Sequence, residues 1–190
     1  YTYEIESGTL TKLDHPSGTL SFGYFASNDE IFVNLTSTSQ PSSVVALDAH
    51  TGSQLRTLLK AGEAPSGSPW RSVSFPSTDG VTIQGWLGTP EGDGPFPTIL
   101  ETHGGPTAVM NEYFTPSAQA WIDHGFAYFT INYRGSTTFG KDFEKAIWGR
   151  LGSVEIDDMA AARDWLVNEG VAQADSILIT GWAYGGYLLL

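Results

Sequence analysis

The sequence predicts an α/β fold with a parallel sheet, preceded by a region built only of strands. Three observations support this prediction. Residues 1–60 consist of short strand-like runs separated by turn residues, and residues 98–180 alternate strand-like with helix-like segments. The last fourteen residues form an apolar strand, a glycine-rich turn and the start of a helix. Because alternating strands and helices favour parallel pairing, we expect two regions of different architecture within these 190 residues.

The all-β region begins with a hairpin that turns at Ser7-Gly8. Four further candidate strands follow, at residues 19–25, 30–36, 43–48 and 53–59. A similar turn recurs at Thr51-Gly52, 44 residues after the first, and this spacing matches the length of one β-propeller blade. We therefore interpret residues 1–60 as the last blade or blades of a propeller, with a simple β-meander as the alternative.

A change in composition separates the two regions. Residues 61–70 are rich in glycine, proline and serine, which predicts a linker. Candidate strands at residues 71–75 and 81–87 then form a hairpin, because Asp79-Gly80 supplies the turn between them. We interpret residues 71–190 as the N-terminal part of a truncated catalytic domain. The remainder is expected in a missing segment or a second chain.

Helices and one fully buried strand follow. A helix opens with Pro116 and stops at Gly125. Residues 126–132 form an uninterrupted apolar run, which is typical of a strand buried on both faces. Ser153 is the predicted N-cap of a helix over residues 154–169. Four side chains at helical spacing predict its buried face: Ile156, Met159, Ala162 and Leu166.

The turn after the last strand has the spacing of a nucleophile elbow. Gly181 and Gly185 lie two residues to either side of Ala183, and small flanking residues are needed because the backbone at the apex is strained. In α/β-hydrolases the apex is the serine of G-x-S-x-G, whereas here it is alanine. We predict the geometry of a nucleophile without its hydroxyl. The alternative is a glycine-rich turn that packs closely or binds an anion.

A second glycine-containing loop, His103-Gly104-Gly105, follows the strand at residues 98–102. An oxyanion hole requires backbone N–H groups that point toward developing charge, and glycines let a loop turn its amides that way. The elbow would supply a second N–H, from Tyr184. His103 precedes the elbow, whereas the catalytic base of this fold follows it. We therefore interpret His103 as a buried residue that orients the loop together with Gly104.

Charge and cysteine content exclude several classes of function. The chain carries 21 acidic and 9 basic residues, a net charge of −12, which argues against nucleic acid or an anionic membrane as a partner. It has no cysteine, so disulfides, thiolate metal sites and cysteine nucleophiles are excluded. We expect no cofactor and no metal ion, and we expect a cytoplasmic protein.

Four motifs, in this order, resemble the prolyl oligopeptidase family (S9) of serine peptidases. They are HGGP at residues 103–106, NYRGST at 132–137, GSVEIDD at 152–158 and GWAYGGY at 181–187. They are most similar to the acylaminoacyl-peptidase branch, because dipeptidyl peptidases and prolyl oligopeptidase have tyrosine where HGGP has histidine. The resemblance covers residues 71–190, and the β-rich start of the chain fits the end of the family's propeller.

The resemblance implies an α/β-hydrolase domain capped by a propeller, with a short peptide or an acyl or aminoacyl amide as substrate. The nucleophile maps onto Ala183, and the oxyanion donors map onto the N–H groups of Tyr184 and Gly105. The family's aspartate and histidine follow the elbow, beyond Leu190. No residue upstream is expected to replace them.

Other positions in these motifs are expected to be structural. We expect Arg134 to bind neighbouring carbonyl or carboxylate groups, and Asp157 and Asp158 to be acids of a first helical turn. Thr138 stands where the family has glycine, and we expect that change to have little consequence.

Three hypotheses about function follow. The first is a serine peptidase that acts through an acyl-enzyme and is inactive here because Ala183 replaces the serine. The second is a natural pseudoenzyme that only binds ligands; the intact glycines favour the first, with alanine as an introduced change. The third is an esterase or small-molecule amidase of the same fold. Association into a homo-oligomer is left open.

Overall fold

Residues 1–190 are described by a computed structural model and divide into two units. The first unit contains Tyr1–Gly67 together with Glu112–Thr115, and the second contains Ser68–Asn111 and Pro116–Leu190. The first unit contains strands but no helix, whereas the second contains both. The predicted change of architecture along the chain is therefore present.

The first unit is built from a hairpin and a four-stranded antiparallel sheet. The hairpin pairs β1 (Thr2–Glu4) with β2 (Thr9–Thr11). The sheet has the order β3-β4-β5-β6, with strands at Thr19–Phe25, Glu30–Ser37, Gln40–Asp48 and Gln54–Lys60. All four predicted strands are present. Strand β5 begins earlier than expected, because Ser37 and Gln40 pair directly across a tight turn.

One face of this sheet holds a small apolar core. Alternate residues of β4 and β5 point to it, as strand geometry requires, and they are Val33, Leu35, Val45 and Leu47. The turn between β5 and β6 is closed by the Asp48 carboxylate, which accepts the N–H groups of His50 and Thr51 at 2.9 and 2.7 Å. These bonds lower the pKa of Asp48. Gly52 completes the turn at φ 87°, the left-handed region that favours glycine.

The second unit contains a five-stranded sheet of order β11-β9-β10-β8-β7. Its strands are Arg71–Pro76, Thr82–Gly88, Phe96–Thr102, Ala127–Asn132 and Ala172–Gly181, from β7 to β11. Strand β9 pairs in parallel with both β10 and β11. Strand β8 pairs antiparallel with both β10 and β7. Thr102 at the end of β9 is in register with Gly181 at the end of β11. The two loops that carry the predicted site therefore leave the sheet side by side.

Helices cover both faces of this sheet. They are α1 (Pro116–Asp123), α2 (Lys141–Lys145), α3 (Val154–Asn168) and α4 (Tyr184–Tyr187). Helix α3 lies over one face and shares a core with β10, whose six residues are all buried. The core on the opposite face contains residues of α1 with aromatic and aliphatic neighbours: Trp70, Ile99, Ala118, Ile122 and Tyr128.

Two expectations about α3 were wrong. The Ser153 side chain makes no capping hydrogen bond; instead the Glu155 carboxylate turns back and accepts the N–H groups of Gly152 and Ser153, at 2.6 and 3.1 Å. Ile156 is 44% exposed. The buried face is formed by Val154, Glu155, Asp158, Met159, Ala162 and Leu166. Two of these six residues are acids, whereas the predicted face contained only apolar side chains.

Thr138 also differs from expectation. Its backbone has φ 76°, which is unfavourable for a β-branched residue because the Cβ substituents crowd the backbone. Glycine at this position would remove the strain. The change from glycine to threonine therefore has a structural cost, contrary to the expectation that it has little consequence.

Candidate active site

The elbow at Ala183 has the strained backbone that its glycine spacing predicts. Strand β11 ends at Gly181, and α4 begins at Tyr184. Between them Ala183 has φ 54° and ψ −121°, a conformation that costs a non-glycine residue on the order of 1–3 kcal/mol. Ala183 is also exposed. A side chain at this position is therefore presented to solvent at the carboxyl end of the sheet.

The glycines on either side of the apex have no room for a side chain. A Cβ on Gly185 would lie 2.1 Å from the carbonyl oxygen of Thr102, and a Cβ on Gly181 would lie 2.2 Å from the Thr102 hydroxyl oxygen. The Thr102 hydroxyl donates to the Gly185 carbonyl at 2.8 Å. The end of β9 thus holds the start of α4 against the sheet.

The loop after β9 reaches the apex. A Cβ on Gly104 would lie 3.4 Å from the Ala183 methyl group and 3.1 Å from the Trp182 carbonyl oxygen, so the loop and the elbow are close enough that a side chain at position 104 would contact the elbow backbone. Gly105 has φ 127°, which again favours glycine. The structure brings together the loop and the elbow that the sequence analysis paired.

Neither of the two predicted oxyanion donors gives its backbone N–H to another backbone group in the turns and loops of the chain. These donors are Gly105 and Tyr184, the residue after the apex. Such N–H groups beside an exposed apex are available to a ligand oxygen, as an oxyanion hole requires. Their assignment as oxyanion donors stays a prediction.

His103 binds protein groups with both ring nitrogens. Nδ1 lies 2.7 Å from the Gly104 carbonyl oxygen, and Nε2 lies 2.9 Å from Oγ of Ser136. The ring stacks on Tyr133 with centroids 4.2 Å apart, and the residue is buried. Burial lowers the pKa of His103, although the bond to the Gly104 carbonyl opposes this. The bond to the Gly104 carbonyl requires a hydrogen on Nδ1. The Ser136 hydroxyl then has one hydrogen for two acceptors, Nε2 of His103 and the Tyr133 carbonyl oxygen at 2.6 Å.

This bond to Gly104 fixes the direction of the next N–H. The carbonyl of Gly104 and the N–H of Gly105 belong to one planar peptide unit and point in opposite directions. Because His103 holds the carbonyl on its own side, the Gly105 N–H is directed away from the ring. This geometry supports His103 as an orienting residue and leaves neither of its nitrogens free to act as a base.

A buried ion pair anchors the loop that carries Ser136. The Arg134 guanidinium donates to Asp158 with Nη2 at 2.7 Å, and its backbone N–H donates to the same carboxylate at 2.8 Å. Arg134 also contacts Asp79 at 2.5 Å, and this bond lowers the pKa of Asp79. The expectation that Arg134 binds carboxylates is confirmed. Asp158, however, is fully buried and joins α3 to this loop, whereas it was expected to be only a first-turn acid.

One contact of the site was missed by sequence reasoning. The Tyr184 hydroxyl donates to the carboxylate of Glu155, which is fully buried at the start of α3. Burial alone would raise the pKa of Glu155, but the bonds from Tyr184 and from the N–H groups of Gly152 and Ser153 outweigh it, and the pKa is lowered. No local signal pointed to this contact, because Tyr184 lies 29 residues from Glu155.

Three further features bear on other kinds of function: cavities, metal-binding groups and membrane-spanning helices. A cavity of about 490 Å³ lies in the first unit against β5, β6 and residues 61–66, and none of its lining residues belongs to the elbow or to the His103 loop. No group of three or more histidine and acidic side chains is placed to hold a metal ion. No helix is long and apolar enough to cross a membrane.

Comparison with known proteins identifies the family. Residues 112–190 match the prolyl oligopeptidase family of S9 peptidases. This part of the chain belongs to the prolyl oligopeptidase family. This chain is 36% identical over 132 residues to dipeptidyl aminopeptidase BIII of Pseudoxanthomonas mexicana, an alignment that covers 64% of this chain and 19% of that protein. It is 32% identical over 92 residues to acylamino-acid-releasing enzyme 1 of Oryza sativa subsp. japonica, covering 48% and 12% respectively.

The fold is shared with solved structures of the same family. A puromycin-hydrolyzing peptidase of Mycobacterium tuberculosis superimposes with a TM-score of 0.80 at 25% identity, over 98% of this chain and 30% of that one. The β-only unit is therefore the end of a β-propeller, and the α/β unit is the first part of an α/β-hydrolase fold. Acylaminoacyl peptidases are among the relatives, as predicted, and dipeptidyl peptidases are as well. The chain spans less than a fifth of the length of the two curated relatives named above.

Proposed function

We propose that this chain carries the nucleophile elbow and oxyanion loop of a serine peptidase that hydrolyses short peptides or acyl and aminoacyl amides through an acyl-enzyme. The observation that carries the proposal is the exposed, strained apex at Ala183, with φ 54°, beside the N–H groups of Gly105 and Tyr184, which bind no other backbone group in the turns and loops of the chain. A relaxed turn would have no reason to hold alanine in this conformation.

In the proposed reaction a serine at position 183 attacks the substrate carbonyl carbon. Its proton passes to a histidine and then to the leaving amine as the C–N bond breaks, which leaves the acyl group on the serine. Water then hydrolyses that ester and regenerates the hydroxyl. The N–H groups of Gly105 and Tyr184 stabilise the negative oxygen, and each such donor contributes about 2.7–4 kcal/mol to the transition state.

We assign the base and its carboxylate partner to the longer protein, as the family resemblance implies. His103 is not the base, because Gly104 and Ser136 occupy its nitrogens. With alanine at the apex no acyl-enzyme forms. In a well-studied triad enzyme the loss of the nucleophile costs on the order of 10⁶ in kcat, so we expect the Ala183 form to bind substrate without turning it over.

The test is to make Ala183→Ser in the full-length protein and to assay acyl-peptide and aminoacyl nitroanilides. Ala160→Ser, at an exposed position of α3, is the matched control because it adds a serine away from the apex. We expect amide hydrolysis from Ala183→Ser alone. Hydrolysis of esters without amides would favour the esterase, and a folded Ala183→Ser protein that binds acyl peptides without turnover would favour the pseudoenzyme.

A further inference from the structure

Glu155 is a buried carboxylate to which the proposed reaction gives no direct role. It is fully buried, and no lysine, arginine or histidine forms an ion pair with it. Three neutral donors bind it: the N–H groups of Gly152 and Ser153 and the hydroxyl of Tyr184. Taking a carboxylate out of water is unfavourable unless such bonds replace its hydration. An exposed serine could cap α3 without burying a charge, so capping alone does not account for Glu155.

Tyr184 links this carboxylate to the elbow. Its backbone N–H is one of the two predicted oxyanion donors beside the apex, while its hydroxyl donates to Glu155. Helix α4 has only four residues, and so short a helix has little stability of its own. Helix α3 has fifteen residues and packs into the main core. The side chain of Tyr184 therefore ties a short element to a firmly packed one.

We propose that Glu155 is a positioning residue for catalysis, which holds the Tyr184 N–H in the direction required by the oxyanion through the hydroxyl of the same tyrosine. This inference rests on the proposed peptidase function. An N–H that binds only the developing negative oxygen acts in the transition state and not in substrate binding. Loosening the tether should therefore lower kcat and leave KM nearly unchanged.

The test uses the full-length protein carrying Ala183→Ser, with Glu155→Gln, Tyr184→Phe and their combination added. We expect each single change to lower kcat by about 10-fold to 100-fold, less than the roughly 10²–10³-fold that follows loss of an oxyanion donor, while KM changes by less than about twofold. The double change should be no worse than the more severe single one, because both act on the same bond: Tyr184→Phe removes its donor, and Glu155→Gln replaces its charged acceptor with a neutral amide oxygen.

Two variants serve as matched controls. Asp157→Asn removes an exposed acid from the same helical turn, and Tyr187→Phe removes the hydroxyl of an exposed tyrosine on the same short helix. Neither should change kcat. If Glu155→Gln and Tyr184→Phe behave as these controls do, or raise KM as much as they lower kcat, the positioning role is overturned.

A second measurement needs no activity. In the Ala183 protein labelled with ¹³Cζ-tyrosine, Glu155→Gln should shift the Tyr184 resonance and Asp157→Asn should not; an unmoved resonance overturns the tether itself. A folded Ala183→Ser protein that hydrolyses nothing, with the tether signal intact, overturns the reaction and with it the positioning role. An active serine form with unaffected tether variants overturns the positioning role alone.

Discussion

The ring of His103 binds the backbone of the residue that follows it, with Nδ1 2.7 Å from the carbonyl oxygen of Gly104. The opposite side of the same peptide unit carries the Gly105 N–H. A buried histidine thus controls the direction of a backbone donor beside the elbow. This bond requires a hydrogen on Nδ1, and burial keeps the ring neutral by lowering its pKa.

The lowered pKa of His103 predicts a pH dependence of stability. Between that pKa and the ordinary value near 6.5, the unfolded chain binds a proton that the folded chain does not, so stability falls as pH drops through this range. His103→Phe keeps a ring over Tyr133 and removes this dependence. From about pH 7.5 to about pH 5.5 its free energy of unfolding, measured with urea, should decline less than that of the unchanged protein. Equal slopes would contradict the assignment, and exposed His124→Phe is the control.

The glycines of the elbow predict a contrast between neighbouring positions. A Cβ on Gly185 would lie 2.1 Å from the Thr102 carbonyl oxygen, whereas one on Gly186 would lie 3.5 Å from its nearest neighbour. We expect Gly185→Ala to destabilise the protein by about 3 kcal/mol or to prevent folding, because backbone must move. Gly186→Ala should cost less than about 1 kcal/mol, since alanine suits a helix. Thermal unfolding measures both, and equal effects would show that the flank is not tightly packed.

The Arg134–Asp158 pair predicts a large penalty for removing one partner. Both side chains are buried, so Arg134→Met leaves an uncompensated carboxylate and should cost about 3–5 kcal/mol. Asp79→Asn removes the other carboxylate bound by Arg134, which is half exposed, and should cost much less because water screens that contact. Urea unfolding compares the two. A small loss for Arg134→Met, similar to that of Asp79→Asn, would mean that water reaches the pair.

The face that α3 buries predicts a difference between two apolar residues. Met159 is 7% exposed and belongs to the main core, whereas Ile156 is 44% exposed. Met159→Ala should cost about 2–5 kcal/mol because it leaves a cavity, and Ile156→Ala should stay within about 0.5 kcal/mol as a surface change. Thermal or urea unfolding of the two variants decides. Equal losses of unfolding free energy in the two variants would indicate that Ile156 is buried, as the apolar pattern predicted.

Local sequence signals were sufficient for most of the fold. Glycine, proline and Asp-Gly turns marked the strands of both units, and the apolar run over residues 126–132 marked the central strand. The elbow and the His103 loop could be paired in advance, because adjacent strands of a parallel sheet end at the same edge. Their actual approach, Gly104 against Ala183, is a tertiary contact that the motifs only implied.

The errors at α3 have one physical cause. A count of apolar residues treats an acid as a surface residue, yet Glu155 and Asp158 are buried because partners distant in sequence satisfy them. Tyr184 lies 29 residues from Glu155, and Arg134 lies 24 residues from Asp158. No local sequence pattern predicts partners so far away in the chain. The same limit hid the strain at Thr138, since a positive φ follows from the path of the whole loop.

Covalent trapping shows whether the residue at position 183 can act as a catalytic nucleophile. Full-length Ala183→Ser protein would be treated with a fluorophosphonate and examined by intact-mass and peptide mass spectrometry. We predict one adduct per chain, on the residue at position 183, and none on the Ala183 form or on Ala160→Ser. A folded Ala183→Ser protein that stays unlabelled, or that is labelled elsewhere, would contradict the account.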